Sequence, residues 1–132
     1  MGVRAFSKIL SKEEEEIVRT FDTGATRGSK KDKYCYAGFL HPGVLRMYAA
    51  YMHKHRLQTD GTLREADNWQ KGMPQEEYFD SLIRHVMDLW LIRKGEIVKD
   101  VETKEDVTVY DALCGILFNT MGMMLNILKG KG

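Results

Sequence analysis

The sequence predicts an all-α domain, a helical bundle with long polar connections. Three segments carry apolar residues at helical spacing, over about 42–57, about 75–94, and from about 105–108 to 128. Proline stands at the entrance of the first two segments, and glycine follows the last two. The chain has 132 residues, the usual size of one domain, so 1–132 is interpreted as a single domain with a peripheral N-terminal segment over 1–20.

Charge and cysteine content narrow the function classes. The chain carries 20 basic and 19 acidic residues, a net charge of +1, which argues against direct nucleic-acid binding through a broad basic surface. Cys35 and Cys114 lie 79 positions apart and form no CxxC pair, so we expect free thiols and a cytoplasmic location. No secretory signal is visible, and the longest apolar run, near 112–118, is far shorter than the roughly 18–20 residues of a membrane span, so no membrane partner is expected.

The N-terminal segment is compatible with either a helix or a strand. Ser11 followed by Glu14 resembles a capping box and predicts a helix over about 12–20. The alternative is a strand through "EIVRTF". Residues 22–38, "DTGATRGSKKDKYCYAG", predict a loop, and a loop of about 17 residues in a compact domain usually serves a site.

The three predicted helices have distinct end signals. Pro42 suits the first turn of the first helix, and Pro74 and Gly95 bracket the second. Arg93 and Lys94, in its last turn, suit the helix dipole. The third helix ends at Gly130 and carries a methionine-rich face that is either a subunit interface or ordinary core: Met121, Met123 and Met124.

The second helix carries charge among large apolar residues. Burying an unpaired carboxylate such as Asp88 in "HVMDLWLI" would cost several kcal/mol or force protonation. Ser81, His85 and Asp88 share one helical stripe, and Asp80, Arg84 and Asp88 share another. An HxxD pair is one half of a metal or general-base site. The alternatives are an Arg84–Asp88 ion pair and a hydrogen-bonded core histidine at His85.

The third helix supplies another carboxylate. If it packs antiparallel to the second helix, Asp111 faces the neighbourhood of Asp88, and converging carboxylates suit a hard cation such as Mg²⁺. We therefore predict Asp80, Asp88 and Asp111 as metal ligands. Alternatively, Thr108-x-x-Asp111 is a capping box, which would make Asp111 structural.

Two polar connections contain candidate binding residues. Arg27 and Lys30 are candidate donors to a triphosphate, although "TGATRGSKK" lacks the phosphate-loop pattern GxxxxGK[ST]. In "NWQKG", Trp69 offers a stacking surface and Asn68 an amide for a base edge. The alternative is that Trp69 simply anchors its loop.

Several stretches together resemble a known family. "TGATR", "KYCYAGFLHPGVLRMYAAYMHKHR", "NWQKGMPQEEYFDSLIRHVMDLW" and "DALCGILFN" resemble the phage dATP/dGTP diphosphohydrolase family, a MazG-like group with some members that accompany 2-aminoadenine synthesis. The resemblance covers about 20–128. The matching motif positions are Gly24, Arg27, Asn68, Trp69, Gly72, Tyr78, Ser81, Arg84, His85 and Asp111.

The resemblance implies a fold and a reaction. The fold is a MazG-like helical bundle with long functional loops, assembled as a dimer or tetramer. The reaction is hydrolysis of dGTP, dATP or both to the monophosphate and pyrophosphate with Mg²⁺ or Mn²⁺, by a phage protein in the host cytoplasm. The sequence departs from the family pattern in two places. The MazG pattern EExxE followed by ExxD is only approximated, by Glu76, Glu77 and Asp80 and then by His85 and Asp88. In addition, Cys35 occupies a position where many relatives carry an acidic residue.

These observations give one leading hypothesis and two rivals. The leading hypothesis is a metal-dependent nucleotide pyrophosphohydrolase whose catalytic residues are His85, Asp88 and Arg84, and whose substrate-binding residues are Arg27, Lys30, Asn68, Trp69 and Ser81. The first rival is a non-catalytic nucleotide-binding or regulatory module. The second is a helical interaction protein that assembles through its third helix.

Overall fold

The structure, a computed structural model, describes residues 16–30 and 33–132, with side chains for 18–28 and 33–132. The elements in chain order are β1 (Glu16–Thr20), β2 (Thr26–Lys30), α1 (Tyr36–Phe39), α2 (Pro42–Lys54), a 3₁₀ helix (Asn68–Lys71), α3 (Gln75–Arg93) and α4 (Val109–Leu128). The described part is mostly helical, which confirms the predicted helical class. A small two-stranded sheet corrects the all-α assignment.

The sheet is an antiparallel hairpin over residues 16–30. Val18 pairs with Gly28 and Thr20 with Thr26, and the turn places Gly24 at a φ of +86°, a conformation that glycine adopts without strain. The strand alternative at "EIVRTF" is confirmed, and a helix reaching residue 20 is wrong; residues 12–15 lie outside the described part. The predicted loop over 22–38 is wrong at β2 and α1. No described helix comes within 8 Å of the hairpin between Cα atoms.

The main packing unit is the antiparallel pair of α3 and α4. Facing residues run in opposite directions along the two helices: His85 lies against Gly115, Ser81 bonds to Asn119, Tyr78 lies against Gly122 and Gln75 bonds to Asn126. The two glycines let the rings approach the α4 backbone, because a Cβ at Gly115 would stand 2.6 Å from the His85 ring. The condition under which Asp111 was expected near Asp88, antiparallel packing of these two helices, is therefore met.

The ends of the helices agree with the sequence signals. Thr108 caps α4 by accepting a hydrogen bond from the Asp111 amide at 3.1 Å, and the Asp111 carboxylate accepts one from the Thr108 amide at 3.1 Å. Gly95, just past α3, has a φ of +88°. The predicted helix limits hold to within about three residues. Cys35 is an exposed free thiol and Cys114 a buried one.

Helix α4 also passes a length-and-composition test for crossing a membrane. It has 20 residues with a mean hydropathy of 1.4 in its most apolar window. The core helix of a soluble protein meets the same test. The buried amides of Asn119 and Asn126, bonded to Ser81 and Gln75 of α3, fit a core helix. The apolar run seen in the sequence therefore underestimated how apolar this helix is over its full length.

Candidate functional site

A cavity of about 860 Å³ lies beside α3, between the end of α2 and the connection that contains the 3₁₀ helix. Its walls include four residues predicted from the sequence to belong to the site: Asn68, Trp69, Ser81 and His85. Small-molecule sites typically occupy about 300–1,000 Å³, so the cavity has the size of a nucleotide site. It is also the place where the α2 end, the connection and α3 converge.

One wall of the cavity is aromatic. The ring centroids of Trp69 and Phe118 are 6.5 Å apart, and those of Tyr78 and Phe118 are 6.0 Å apart, both in edge-to-face geometry. Trp69 is held by this contact and still lines the cavity. Both interpretations of Trp69, as loop anchor and as stacking surface, are therefore compatible with its position.

A second group of cavity-lining residues is basic. Arg56 and Arg64 flank a tight turn. The Arg56 Nε donates to the Arg64 carbonyl at 2.7 Å, and an Arg64 Nη1 donates to the His55 carbonyl at 2.9 Å. Each of these bonds uses one of the five N–H donors of a guanidinium. The remaining donors suit the oxygens of a phosphate, and these side chains line the cavity together with His53, His55 and Lys71.

Sequence reasoning missed this basic group. The residues stand in "HRLQTDGTLRE", where a turn brings Arg56 and Arg64 together through backbone hydrogen bonds. The Asp60–Gly61 dipeptide is a turn signal, with Gly61 at a φ of +86°. A hairpin-like connection with an arginine on each arm was therefore visible in the sequence, but its direction toward α3 was not.

His85 is a half-buried residue of the cavity wall. Its Nδ1 is buried and has no hydrogen-bond partner in the described structure, so the alternative of a hydrogen-bonded core histidine is not supported at this atom. Burial lowers the pKa of His85, and Arg84 lowers it further, whereas Asp88 and Asp111 raise it. Because burial has the largest effect, the pKa of His85 lies below its ordinary value. A neutral imidazole at pH 7 is able to accept a proton.

His55 lies on the same side of the cavity as Arg56. Burial and the neighbouring Lys54 lower the pKa of His55, with a smaller contribution from His85 in the same direction, while Asp111 raises it. His85 is near enough to His55 for a charge on one imidazole to act on the other. Protonating either of them makes protonation of the other less favourable.

Ser81 occupies the cavity wall one turn before His85. The Ser81 Oγ accepts a hydrogen bond from the Asn119 Nδ2 at 3.2 Å, and the same amide donates to the Gly115 carbonyl at 2.7 Å. The Asn119 Oδ1 is buried and unpaired within the described structure. The Ser81 hydroxyl is therefore held in place by α4 and keeps its own proton to donate.

Asp111 is a structural residue at the start of α4. Its Oδ2 accepts from the Thr108 amide and hydroxyl at 3.1 and 3.0 Å, and its Oδ1 accepts from the Lys54 Nζ at 2.8 Å. Both carboxylate oxygens are therefore engaged. The capping-box alternative for Asp111 is confirmed, and its bond to Lys54 ties the end of α2 to α4.

The predicted metal site of Asp80, Asp88 and Asp111 is not assembled in the described part of one chain. Among the described residues, no group of three His, Cys, Asp or Glu side chains is placed to hold a metal ion. Asp80 is exposed, Asp88 is half-buried beside His85, and the oxygens of Asp111 are already engaged. The i, i+4, i+8 spacing places Asp80 and Asp88 along one line of α3, but it does not make their carboxylates converge on one point with Asp111.

The remaining predicted residues lie apart from the cavity. Arg84 is exposed, and the ion pairs between described residues are Lys54–Asp111 and Lys99–Asp106, so the Arg84–Asp88 alternative is also not formed. Arg27 is exposed on the hairpin and does not line the cavity. The side chain of Lys30 lies outside the described part. The role predicted for Arg27 therefore receives no support from the described part of one chain, and the role of Lys30 stays a prediction.

Asp111→Asn should lower stability in a pH-dependent way. Partial burial raises the pKa of the Asp111 carboxyl, but hydrogen bonds from Lys54 and Thr108 lower it more, to below its ordinary 3.8. The charged carboxylate therefore adds stability above pH 3.8, and this contribution is lost as the pH falls through the folded pKa. We expect a loss of about 1 kcal/mol at pH 7, discounted for the exposed Lys54.

Urea denaturation of wild type and Asp111→Asn from pH 7 to pH 3 measures this effect. The two stabilities should converge as the pH falls. Asp106→Asn is the matched control, because Asp106 pairs with Lys99 in an exposed connection and caps no helix. A constant difference at every pH would show that the charge of Asp111 does not stabilise the fold.

Comparison with known proteins leaves the family assignment open. No protein-family model, curated protein or solved structure is significantly similar to this chain. The resemblance to the phage diphosphohydrolase family therefore rests on the motif residues alone, and the site must be judged by its own chemistry.

Proposed function

We propose that this chain binds a purine deoxynucleoside triphosphate in the cavity and hydrolyses it to the monophosphate and pyrophosphate. The observation that carries the proposal is the pairing, within one cavity, of an aromatic wall with a cluster of basic groups. The aromatic wall at Trp69 suits a planar base, and Arg56 and Arg64 suit an anionic chain of phosphates. The motif resemblance supplies the purine deoxynucleotide and the reaction.

The proposed binding mode follows from the aromatic and the basic residues that line the cavity. The base stacks at Trp69, and the Asn68 amide reads its polar edge. The triphosphate extends toward the turn, where Arg56 and Arg64 neutralise its charge. Since charge-assisted hydrogen bonds are stronger than neutral ones, these two arginines provide the largest part of the phosphate affinity.

The proposed reaction places His85 at the α-phosphorus. A water oxygen attacks that phosphorus, the bond from it to the bridging oxygen breaks, and pyrophosphate leaves with the electron pair. The neutral His85 imidazole accepts the proton that the water loses. The lowered pKa of His85 keeps it in the accepting form at pH 7. The Ser81 hydroxyl, fixed by Asn119, donates to a phosphate oxygen.

The metal requirement is a separate proposal. The resemblance implies Mg²⁺ or Mn²⁺, but the three predicted carboxylates do not fit a metal ion in the described part of one chain. Roles are therefore assigned only to the residues of the cavity. Hydrolysis that EDTA abolishes would require ligands beyond those that the described residues of a single chain bring together.

A hydrolysis screen tests the proposal. Purified protein is incubated with each dNTP and NTP in Mg²⁺, Mn²⁺ or EDTA, and the products are separated by ion exchange. Monophosphate and pyrophosphate from dATP or dGTP would support the proposal. Diphosphate and phosphate would mean attack at another phosphorus and would overturn it. Arg64→Lys should raise KM, because lysine keeps the charge and loses the planar donors, while Arg46→Lys on the exposed surface of α2 should not.

A non-catalytic nucleotide-binding module is the second candidate. The observation that favours it is the lack of a three-ligand carboxylate cluster among the described residues. The two functions share the cavity but differ in turnover. Saturable binding of dATP or dGTP with no product in Mg²⁺ or Mn²⁺ would select the binding module.

A further inference from the structure

The outward side of α3 is apolar, although charged residues would be expected on a solvent-facing helix surface. Phe79, Ile83, Val86 and Trp90 are each between 37% and 58% exposed. They follow one another at spacings of four, three and four residues, which is the a/d repeat of a coiled coil. The other side of α3 already packs against α4 through Tyr78, Ser81 and His85. The helix therefore has two apolar sides, and the described residues cover one of them.

The same repeat continues to both ends of α3 with charged residues. Glu76 precedes Phe79 by three positions, and Arg93 follows Trp90 by three. The stripe thus begins with an acid and ends with a base. Here the six residues are called the α3 seam: Glu76, Phe79, Ile83, Val86, Trp90 and Arg93.

We infer that the α3 seam binds the α3 seam of a second copy of this chain in antiparallel orientation. In that arrangement Ile83 lies against Val86 of the partner, Phe79 against Trp90 of the partner, and Glu76 against Arg93 of the partner. All three layers follow from one two-fold axis, which is the symmetry of an isologous dimer. A parallel arrangement would put Glu76 against Glu76 and Arg93 against Arg93, so charge selects the antiparallel one.

The chain exposes more surface than a compact monomer of its mass. The chain of 15.2 kDa exposes 10,792 Å². A compact monomer of that mass exposes about 7,100 Å². The 17 residues outside the described part account for at most about 2,700 Å², the area of a fully extended segment of that length. The described residues therefore expose roughly 1,000 Å² beyond a compact monomer. A stable dimer typically buries about 800 Å² or more per chain.

Sedimentation analysis without nucleotide tests the inference separately from the proposed function. Wild type should be a dimer at micromolar concentration. Ile83→Glu/Val86→Glu should be monomeric, with the dissociation constant raised at least about 100-fold, because carboxylates would be buried without partners. Val101→Glu is the matched control, since Val101 is an exposed apolar residue in the connection after α3 and should leave the dimer intact. A monomeric wild type, or a dimer that survives the double substitution, would overturn the inference.

A charge exchange tests the antiparallel register and does not depend on the folding of the double glutamate variant. Glu76→Arg alone and Arg93→Glu alone each place like charges opposite one another, so each should weaken the dimer. Combining them restores opposite charges and should recover the wild-type dissociation constant. If the combined variant is as weak as either single variant, the seam is not antiparallel. Wild type that remains monomeric and co-sediments with phosphatidylcholine–phosphatidylglycerol vesicles would assign the seam to a membrane surface instead.

Discussion

Gly122→Ala should destabilise the protein by about 2 kcal/mol, although alanine is the better helix former. A Cβ at position 122 would overlap the ring of Tyr78, which is only 1% exposed and packs edge-to-face on Phe118. Overpacking typically costs about 1–3 kcal/mol, and a Cβ in direct overlap with a ring atom belongs at the upper end of this range. Alanine returns up to about 1 kcal/mol of helix propensity, which leaves a net loss of about 2 kcal/mol. Since the Tyr78 ring is held between Gly122 and Phe118, the overlap should outweigh the propensity gain.

Urea denaturation followed by circular dichroism measures this change. Thr120→Ala, on the exposed side of α4, is the control and should change stability by less than about 0.5 kcal/mol. Tyr78→Leu combined with Gly122→Ala should recover part of the loss, because the smaller side chain leaves room for the Cβ. A Gly122→Ala protein more stable than wild type would show that the two helices do not pack at this distance.

His85→Gln should reduce kcat by about 100-fold or more if His85 accepts the proton of the attacking water. Glutamine keeps a polar side chain of similar reach but cannot serve as a base. The KM should change little, because the phosphates are assigned to Arg56 and Arg64. His41→Asn is the control, since His41 caps α2 outside the cavity by accepting from the Gly43 amide and asparagine is an effective cap.

The pH dependence of kcat gives an independent readout of His85. Burial lowers the pKa of His85 below its ordinary 6.5, so the protonated, inactive form should accumulate only at pH values under 6.5. The rate should therefore fall on the acid side and stay level as the pH rises above 6.5. This acid limb should disappear in His85→Gln. An unchanged acid limb in that variant would assign the titrating group elsewhere, and His55 would be the next candidate.

The sequence predicted the helices well because their signals are local. Proline at the entrance of α2 and α3, glycine after α3, and the Thr108 capping box each act within one turn of helix. The 3.6-residue spacing of apolar residues is also local to each helix. The hairpin was less predictable, because five-residue strands with glycine, serine and lysine in β2 carry a weak alternation.

The site was predictable only in part, for a physical reason. Asn68, Trp69, Ser81 and His85 were found because each stands beside an element boundary or on a defined helical stripe. Arg56 and Arg64 were missed because their approach depends on a turn that the sequence marks and a direction that it does not. The carboxylate site failed because Asp111 finds closer partners, Thr108 and Lys54, than any residue of α3.

A nucleotide bound against Trp69 should change the emission of this tryptophan, which tests the proposed site directly. The chain has two tryptophans, so Trp90→Phe leaves Trp69 as the single reporter. Titration with a dATP or dGTP analogue that resists cleavage between the α- and β-phosphates should give a saturable change in emission. Arg64→Ala in the same background should shift the midpoint to higher concentration. If calorimetry shows binding while the emission of Trp69 stays constant, the nucleotide binds elsewhere and the assignment of the cavity is wrong.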